Sequence, residues 1–212
     1  LDERAEFPAT LFKRLGELGY LGLRYPEAYG GAGADMVTYC LFAEELARGS
    51  LSLAAAACMQ SLMGTYFIYK FGSEDLRLKY LVPALRGDLV ATFALTEPNA
   101  GSDVASITTR AERRGDGWVL RGVKTWVTNA PVADVLTVAA KTSGERGMKN
   151  IALFLLDRAA MRGITLGKSI EKMAVRASVT GEILLEDVEV PAGHLLGGET
   201  GGVEKIGGIL SE

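Results

Sequence analysis

Thr96, Gly101 and Ser102 fall within one short stretch, Leu95-Thr96-Glu97-Pro98-Asn99-Ala100-Gly101-Ser102-Asp103. Trp126 and Thr128 fall within a second, Gly122-Val123-Lys124-Thr125-Trp126-Val127-Thr128-Asn129-Ala130. Each reads as a strand that runs into a turn of small hydroxyl, amide and glycine residues. Set side by side, two such strand ends offer hydroxyls, free backbone N–H groups and one aromatic plate. That set suits a flat heteroaromatic cofactor with polar edges and an anionic tail, because successive N–H groups at a glycine turn form an anion-binding concavity. Plainer readings exist for each residue. Trp126 could be a core tryptophan, Thr96 and Thr128 ordinary strand threonines, and Ser102 a turn cap.

The elements that would position these residues change character along the chain. Residues 1–89 read as a helical domain. Phe7-Pro8 opens a helix with Leu11, Leu15 and Leu18 on one face. Asp35 is suited to cap a helix carrying Val37, Cys40, Leu41 and Leu46, and Ser50 a third, residues 51–71, apolar nearly all round. Gly72-Ser73 ends that helix and caps a fourth, with Leu76, Tyr80 and Leu81 facing inward. Residues 90–191 read as short strands at 90–95, 108–113, 118–121, 135–140, 151–156, 164–166 and 182–190, with a hairpin at Arg114-Gly115-Asp116-Gly117. Strands without intervening helices predict a small antiparallel barrel or sandwich. Residues 192–212 read as a connector and the opening turns of a C-terminal helical bundle, so the fold class is α+β and the chain reads as part of a longer one.

The 212 residues are 48% hydrophobic and 23% charged, with a net charge of −3 and no basic block, which argues against nucleic acid as a partner. Cys40 and Cys58 lie in apolar helical contexts, which argues against a disulfide framework. With one histidine, His194, placed in a polar connector, no metal site can be assembled. The apolar segment 51–63 is too short to cross a bilayer, so membrane insertion is not expected. No signal peptide is visible, and a cytoplasmic or mitochondrial-matrix location is expected.

Over nearly its whole length the chain resembles the acyl-CoA dehydrogenase family. The resemblance is carried by Tyr25-Pro26-Glu27-Ala28-Tyr29-Gly30-Gly31, by Gly72-Ser73-Glu74 with Lys79-Tyr80-Leu81, and by residues 93–103, 124–130, 172–182 and 186–191. It implies a helical domain, a β-barrel domain and a C-terminal four-helix domain, with FAD held between barrel and helices. The implied reaction is desaturation of an acyl-CoA thioester between its α and β carbons, with electrons passed to an electron-transferring flavoprotein. By resemblance, Thr96 and Thr128 hydrogen-bond the flavin ring edge, and the backbone of Phe93, Leu95 and Val127 serves its pyrimidine side. Trp126 packs along the flavin. Gly101 and Ser102 meet the FAD phosphates and the pantetheine chain of the substrate. Ala55, Ala56, Met59 and Met63 line the acyl pocket, whose helix carries no charge from 51 to 69, so a neutral acyl chain is expected. A Gly-x-Gly-x-x-Gly turn between strand and helix is absent, which argues against a nicotinamide cofactor bound in the Rossmann manner.

The family's third domain normally supplies the catalytic carboxylate. Some relatives place it on the first helix of that domain, where Glu212 falls; a later glutamate is the alternative, and in either case residues 1–212 alone are expected to be inactive. Ala174 replaces a glycine usual in the family. A homo-oligomer, or a heteromer with another acyl-CoA dehydrogenase subunit, is expected. An acyl-CoA oxidase, a flavin monooxygenase of the same architecture, and a non-catalytic or truncated subunit are the competing readings.

Overall fold

The computed structural model describes residues 2–144 and 148–211. Among the described residues, seven α-helical segments and eight strands follow one another as helices first, strands next and a closing helix. The helical half comprises α1 (Ala9–Glu17), α2 (Met36–Gly49), α3 (Leu51–Cys58), a π-helical turn (Met59–Gly64) and α4 (Tyr66–Phe71). It is completed by α5 (Glu74–Leu76), a second π-helical turn (Arg77–Leu81) and α6 (Val82–Leu85). The three expected caps form: Asp35, Ser50 and Ser73 each accept a hydrogen bond from the backbone N–H three residues on.

Two helical faces differ from expectation. In α1 and its C-cap, Phe12 and Leu15 are buried while Leu11 and Leu18 are exposed. In α2 only Tyr39 is buried, and Val37, Cys40 and Leu41 face outward. Both helices are held by their aromatic residue, which fills more of the core than a single leucine would. The run from Leu51 to Phe71 is also longer than the expected apolar segment. At 21 residues and a mean hydropathy of 1.4 it is long and apolar enough to cross a membrane by length and composition, and 67% of that window is buried inside the protein.

The strands are β1 (Ala91–Ala94), β2 (Arg110–Arg114), β3 (Gly117–Thr128), β4 (Val135–Lys141), β5 (Ile151–Asp157), β6 (Ile164–Leu166), β7 (Thr180–Val190) and β8 (Leu195–Leu196). They form one sheet in the order β6-β7-β3-β2-β4-β5-β8, with β1 beside β4. The sheet is not closed, and it is not wholly antiparallel. β1 runs parallel to β4 over four residue pairs, and β2 meets β4 in parallel at Arg110 and Lys141. The hairpin forms one residue earlier than an Asp-Gly turn would place it: Arg114 pairs with Gly117, leaving Gly115 and Asp116 as the loop. Gly117 cannot carry a side chain there, since a Cβ would lie 2.6 Å from the carbonyl oxygen of Val190.

β4 and β5 are buried on both faces, in keeping with their near-continuous apolar sequences. One face, with Val135, Ala139, Leu153 and Leu155, packs on the helices through Phe67, Ile68 and Leu81. The other, with Leu136, Val138, Phe154 and Leu156, packs on Trp118, Leu120 and Ile183 from β3 and β7. α7 (Gly202–Ser211) follows, and its Ile206 joins the first of these cores. His194 is not a free loop residue: its Nδ1 lies 2.9 Å from the carbonyl oxygen of Leu155, and its ring meets that of Tyr80 edge-on.

Candidate functional site

β3 is the scaffold on which the site is built. Trp118, Leu120 and Lys124 sit at alternate positions and are buried. Unbroken alternation would send Trp126 inward as well. The pairing with β7 breaks at that point. Lys124 stands opposite Ile183 and Val127 opposite Gly181, so Thr125 and Trp126 share the single partner Glu182. This bulge resets the alternation. Val127 is buried, and Trp126 is turned out, 61% exposed, at φ 57°. A left-handed backbone costs an L-residue roughly 1–2 kcal/mol, so the exposed indole occupies a position that the core does not require.

The two chemistry-bearing segments are brought together as expected. The Thr125 N–H donates to the carbonyl of Thr96 at 2.9 Å, and the Thr92 hydroxyl to the carbonyl of Thr128 at 2.5 Å. Phe93 is buried against Phe67, Leu95 is half-buried, and the chain then turns at Pro98-Asn99 through paired bonds between Glu97 and Ala100. Gly101 and Ser102 follow on exposed chain. Among the described residues the hydroxyls of Thr96, Ser102 and Thr128 donate to and accept from nothing within the protein.

Sequence reasoning missed what clamps these segments. Lys124 is 0% and Glu97 1% exposed, and the ammonium lies 2.8 Å from the Glu97 carboxylate. Lys124 also donates to the carbonyl of Leu95 at 3.0 Å. The Glu97 carboxylate further accepts from the N–H and hydroxyl of Thr108, at 2.6 and 2.8 Å, and from the Thr109 N–H at 3.0 Å. Burial pushes the Glu97 carboxyl up, but the Lys124 charge and the converging donors outweigh it and hold it at about 2. Burial pushes Lys124 down to about 8 against the attraction of Glu97. The signal was present in the sequence: a lysine at an inward strand position needs a carboxylate partner.

The second strand end opens on a groove of about 360 Å³. One wall is helical, with Ala55, Cys58, Met59, Leu62 and Met63; the other is Thr128 with Lys172, Val175, Ser178 and Thr180. Ala56, expected on this wall, is buried instead among Phe12, Leu15, Leu21 and Leu53, so it packs α3 against α1. The π-helical turn was not expected either. It is held from within by Gln60, which donates to the carbonyls of Ala84 and Leu89 and accepts from the Ala91 N–H, and by the Tyr25 hydroxyl, 2.7 Å from the Ser61 carbonyl. Asn129 ties the helix to the end of β3 by donating to the Ala56 carbonyl at 3.1 Å. Its buried Oδ1 has no partner among the described residues. Lys172, the one charged residue on the groove among the described residues, is held by the Ser178 carbonyl and the Thr180 hydroxyl. No carboxylate among the described residues lines the groove. Glu212 lies outside the described residues.

A larger cavity, about 740 Å³, lies at the opposite end of β3, beside Trp118. Its charged lining is Arg114, Arg162, Asp187 and Glu189, two of each sign, with Arg114 3.8 Å from Glu189. Size alone does not make it the site, because none of the hydroxyls or amides described above reaches it.

Comparison with known proteins is consistent across the chain. The N-terminal domain of acyl-CoA dehydrogenases matches residues 1–88, and the middle domain of acyl-CoA dehydrogenases matches residues 92–188. Benzylmalonyl-CoA dehydrogenase of Aromatoleum aromaticum is 47% identical over 201 residues, 95% of this chain and 52% of that protein. The structure of a glutaryl-coenzyme A dehydrogenase in complex with glutaryl-CoA superposes with a TM-score of 0.94 at 37% identity, over 99% of this chain and 53% of that one. A glutaryl-CoA dehydrogenase from Mycobacterium smegmatis in complex with FADH2 superposes with a TM-score of 0.90 at 36% identity, over 99% of this chain and 52% of that one. The chain thus spans about half the length of the relatives it matches. Two consecutive domains, in the family's order and together covering most of residues 1–188, establish that this chain belongs to the acyl-CoA dehydrogenase family.

Proposed function

We propose that this chain forms the flavin- and acyl-binding half of an FAD-dependent acyl-CoA dehydrogenase that converts a saturated acyl-CoA to its trans-2-enoyl thioester. The observation that carries the reading is the junction of the two strand ends, where the hydroxyls of Thr96 and Thr128 have no partner among the described residues and Trp126, two residues before Thr128, is turned outward. These residues fit a flavin. Hydroxyls without an internal partner suit the polar edge of the ring, and an exposed indole on a strained bulge suits a flat face. FAD would supply the hydride acceptor.

The protein's own contributions follow from its groups. Thr96 and Thr128, with the backbone of Phe93, Leu95 and Val127, would orient the ring, and Trp126 would keep water from one side of it. Gly101 and Ser102 would meet phosphate and pantetheine groups. Ala55, Met59 and Met63, joined by Cys58 and Leu62, present an uncharged wall suited to a neutral acyl chain. The proton leaving the α carbon needs a carboxylate held within reach, and the groove has none among the described residues; Glu212 or a later glutamate is assigned that role. Transfer of electrons to an electron-transferring flavoprotein past the exposed Trp126, and assembly into a homo-oligomer, are parts of the same proposal.

The test is the flavin content of the purified protein and its response to a saturated acyl-CoA. Release of FAD on denaturation, and a shift of the flavin absorption band when the thioester is added, are expected. Release of FMN, or a flavin band indifferent to the thioester, contradicts the reading.

A further inference from the structure

We propose that the buried Lys124–Glu97 pair is a positioning device: it fixes the spacing between the two hydroxyl-bearing strand ends and thereby sets the affinity of the site for FAD. The proposal rests on the flavin reading above and assigns to it two residues that carry none of the ring contacts named there.

Three separate stretches of chain meet at this pair. Lys124 comes from β3, two residues before Trp126 and four before Thr128. Glu97 directly follows Thr96, and the carbonyl of Leu95 on its other side takes a second bond from the same ammonium. Thr108 and Thr109, which bring three further donors to the carboxylate, lead into β2. The Glu97 carboxylate therefore has both oxygens occupied, and its bonds reach β3 on one side and residues 108–109 on the other. Between β3 and the Thr96 strand end the other hydrogen bonds among the described residues are the Thr125–Thr96 backbone contact and the bond from the Thr92 hydroxyl to the Thr128 carbonyl.

Stability alone is a poor account of such a pair. Removing two charges from water is costly, and well-packed apolar residues of similar volume commonly serve a core as well or better. Apolar side chains, however, leave strand ends free to settle wherever packing is tolerable. A charge pair with directional bonds to backbone groups admits one separation, because a displaced partner would be a buried, unsatisfied charge. A planar ligand gripped at one edge by Thr96 and Thr128 is sensitive to that separation, since a misplacement of about 1 Å weakens every bond made across it.

The experiment compares Lys124→Met, Glu97→Gln and the double variant with the parent, by thermal melting and by the FAD dissociation constant from flavin fluorescence titration. Each single variant should melt far below the parent, because each strands one buried polar partner. The double variant should recover most of the melting temperature and still bind FAD about tenfold more weakly. Recovery of both melting temperature and affinity to within about threefold of the parent overturns the proposal. If the double variant does not fold, Glu97→Asp decides: it keeps the charges and retracts the carboxylate by one methylene. An unchanged circular dichroism spectrum with clearly weakened FAD binding supports positioning, and unchanged binding overturns it. A parent protein that binds no FAD would instead sink the flavin reading and this inference with it.

Discussion

The two ends of β3 carry the same residue eight positions apart and treat it in opposite ways. Trp118 is 4% exposed, in an unbroken ladder, and its ring meets Phe154 edge-on at 5.4 Å. Trp126 is 61% exposed, on a bulge, with a left-handed backbone. Of the two irregularities in the pairing of β3 with β7, between Leu120 and Gly122 and between Lys124 and Val127, it is the second, with one extra residue opposite Glu182, that turns Trp126 outward. At the first end the strand is a wall of the core, and its hydrogen-bonding groups are used within the sheet. At the second, the aromatic is exposed, the hydroxyl residues Thr96 and Thr128 are only half-buried, and the anchoring falls to a buried ion pair. Residue type alone therefore says little about role; the parity of the strand, and where it is broken, says more.

The largest expected effect tests the first half of this contrast. Trp118→Ala should cost ~3–5 kcal/mol of stability, as removal of a fully packed aromatic does, while Trp126→Ala should stay within about 1 kcal/mol. Thermal or denaturant melts of the two variants are sufficient. Equal losses would mean that Trp126 is packed and the contrast false.

Acid sharpens the second half. The folded carboxyl of Glu97 lies at about 2, below its ordinary value of 4.5. Its contribution is present in full above that ordinary value and is lost as pH falls toward about 2, because the unfolded chain takes up the proton first. Melting temperature should therefore fall over that window, and the fall should flatten in the Lys124→Met, Glu97→Gln double variant. An identical acid limb in both proteins would place the sensitivity elsewhere.

Legibility followed the same divide. The two chemistry-bearing strand ends, the caps and the inward Leu76, Tyr80 and Leu81 of α5 and the turn after it were readable because each rests on a local rule: alternation, an N-cap, a helical period. Ile164–Leu166 was read to the residue. What escaped depends on contacts distant in sequence. Glu97 and Lys124 are 27 residues apart, and Gln60 meets a backbone N–H 31 residues on. The parallel pairing of β1 with β4 left no local mark either. Ala56 was misplaced for a related reason. In an alanine run every position looks alike, and only the packing of α3 on Phe12 and Leu15 tells which side faces the core. Thr96, Trp126 and Thr128 were legible as a group because the turn residues around them are unusual for strands that simply continue.

That misplacement yields the next prediction. Ala56→Leu should lose ~1–3 kcal/mol through overpacking, whereas Ala55→Leu, on the groove wall, should leave stability nearly unchanged and disfavour longer acyl chains. Melts, together with binding of an acyl-CoA length series, separate the two. Reversed behaviour would exchange their faces. The smallest effect concerns single hydroxyls: Thr128→Val or Thr96→Val should change stability little and weaken FAD by about 1 kcal/mol, the worth of one hydrogen bond. A titration showing no loss in either variant would remove these hydroxyls from the flavin edge.

The central claim is that the bulged end of β3, and not the larger cavity beside Trp118, receives the flavin. Hydrogen exchange of backbone amides, read by mass spectrometry with and without saturating FAD, tests it most directly. The account predicts that FAD slows exchange in residues 95–103 and 124–130 and leaves residues 114–119 and 160–162 unchanged. Protection confined to the residues around Arg114, Trp118 and Arg162, with none at the two strand ends, would contradict it.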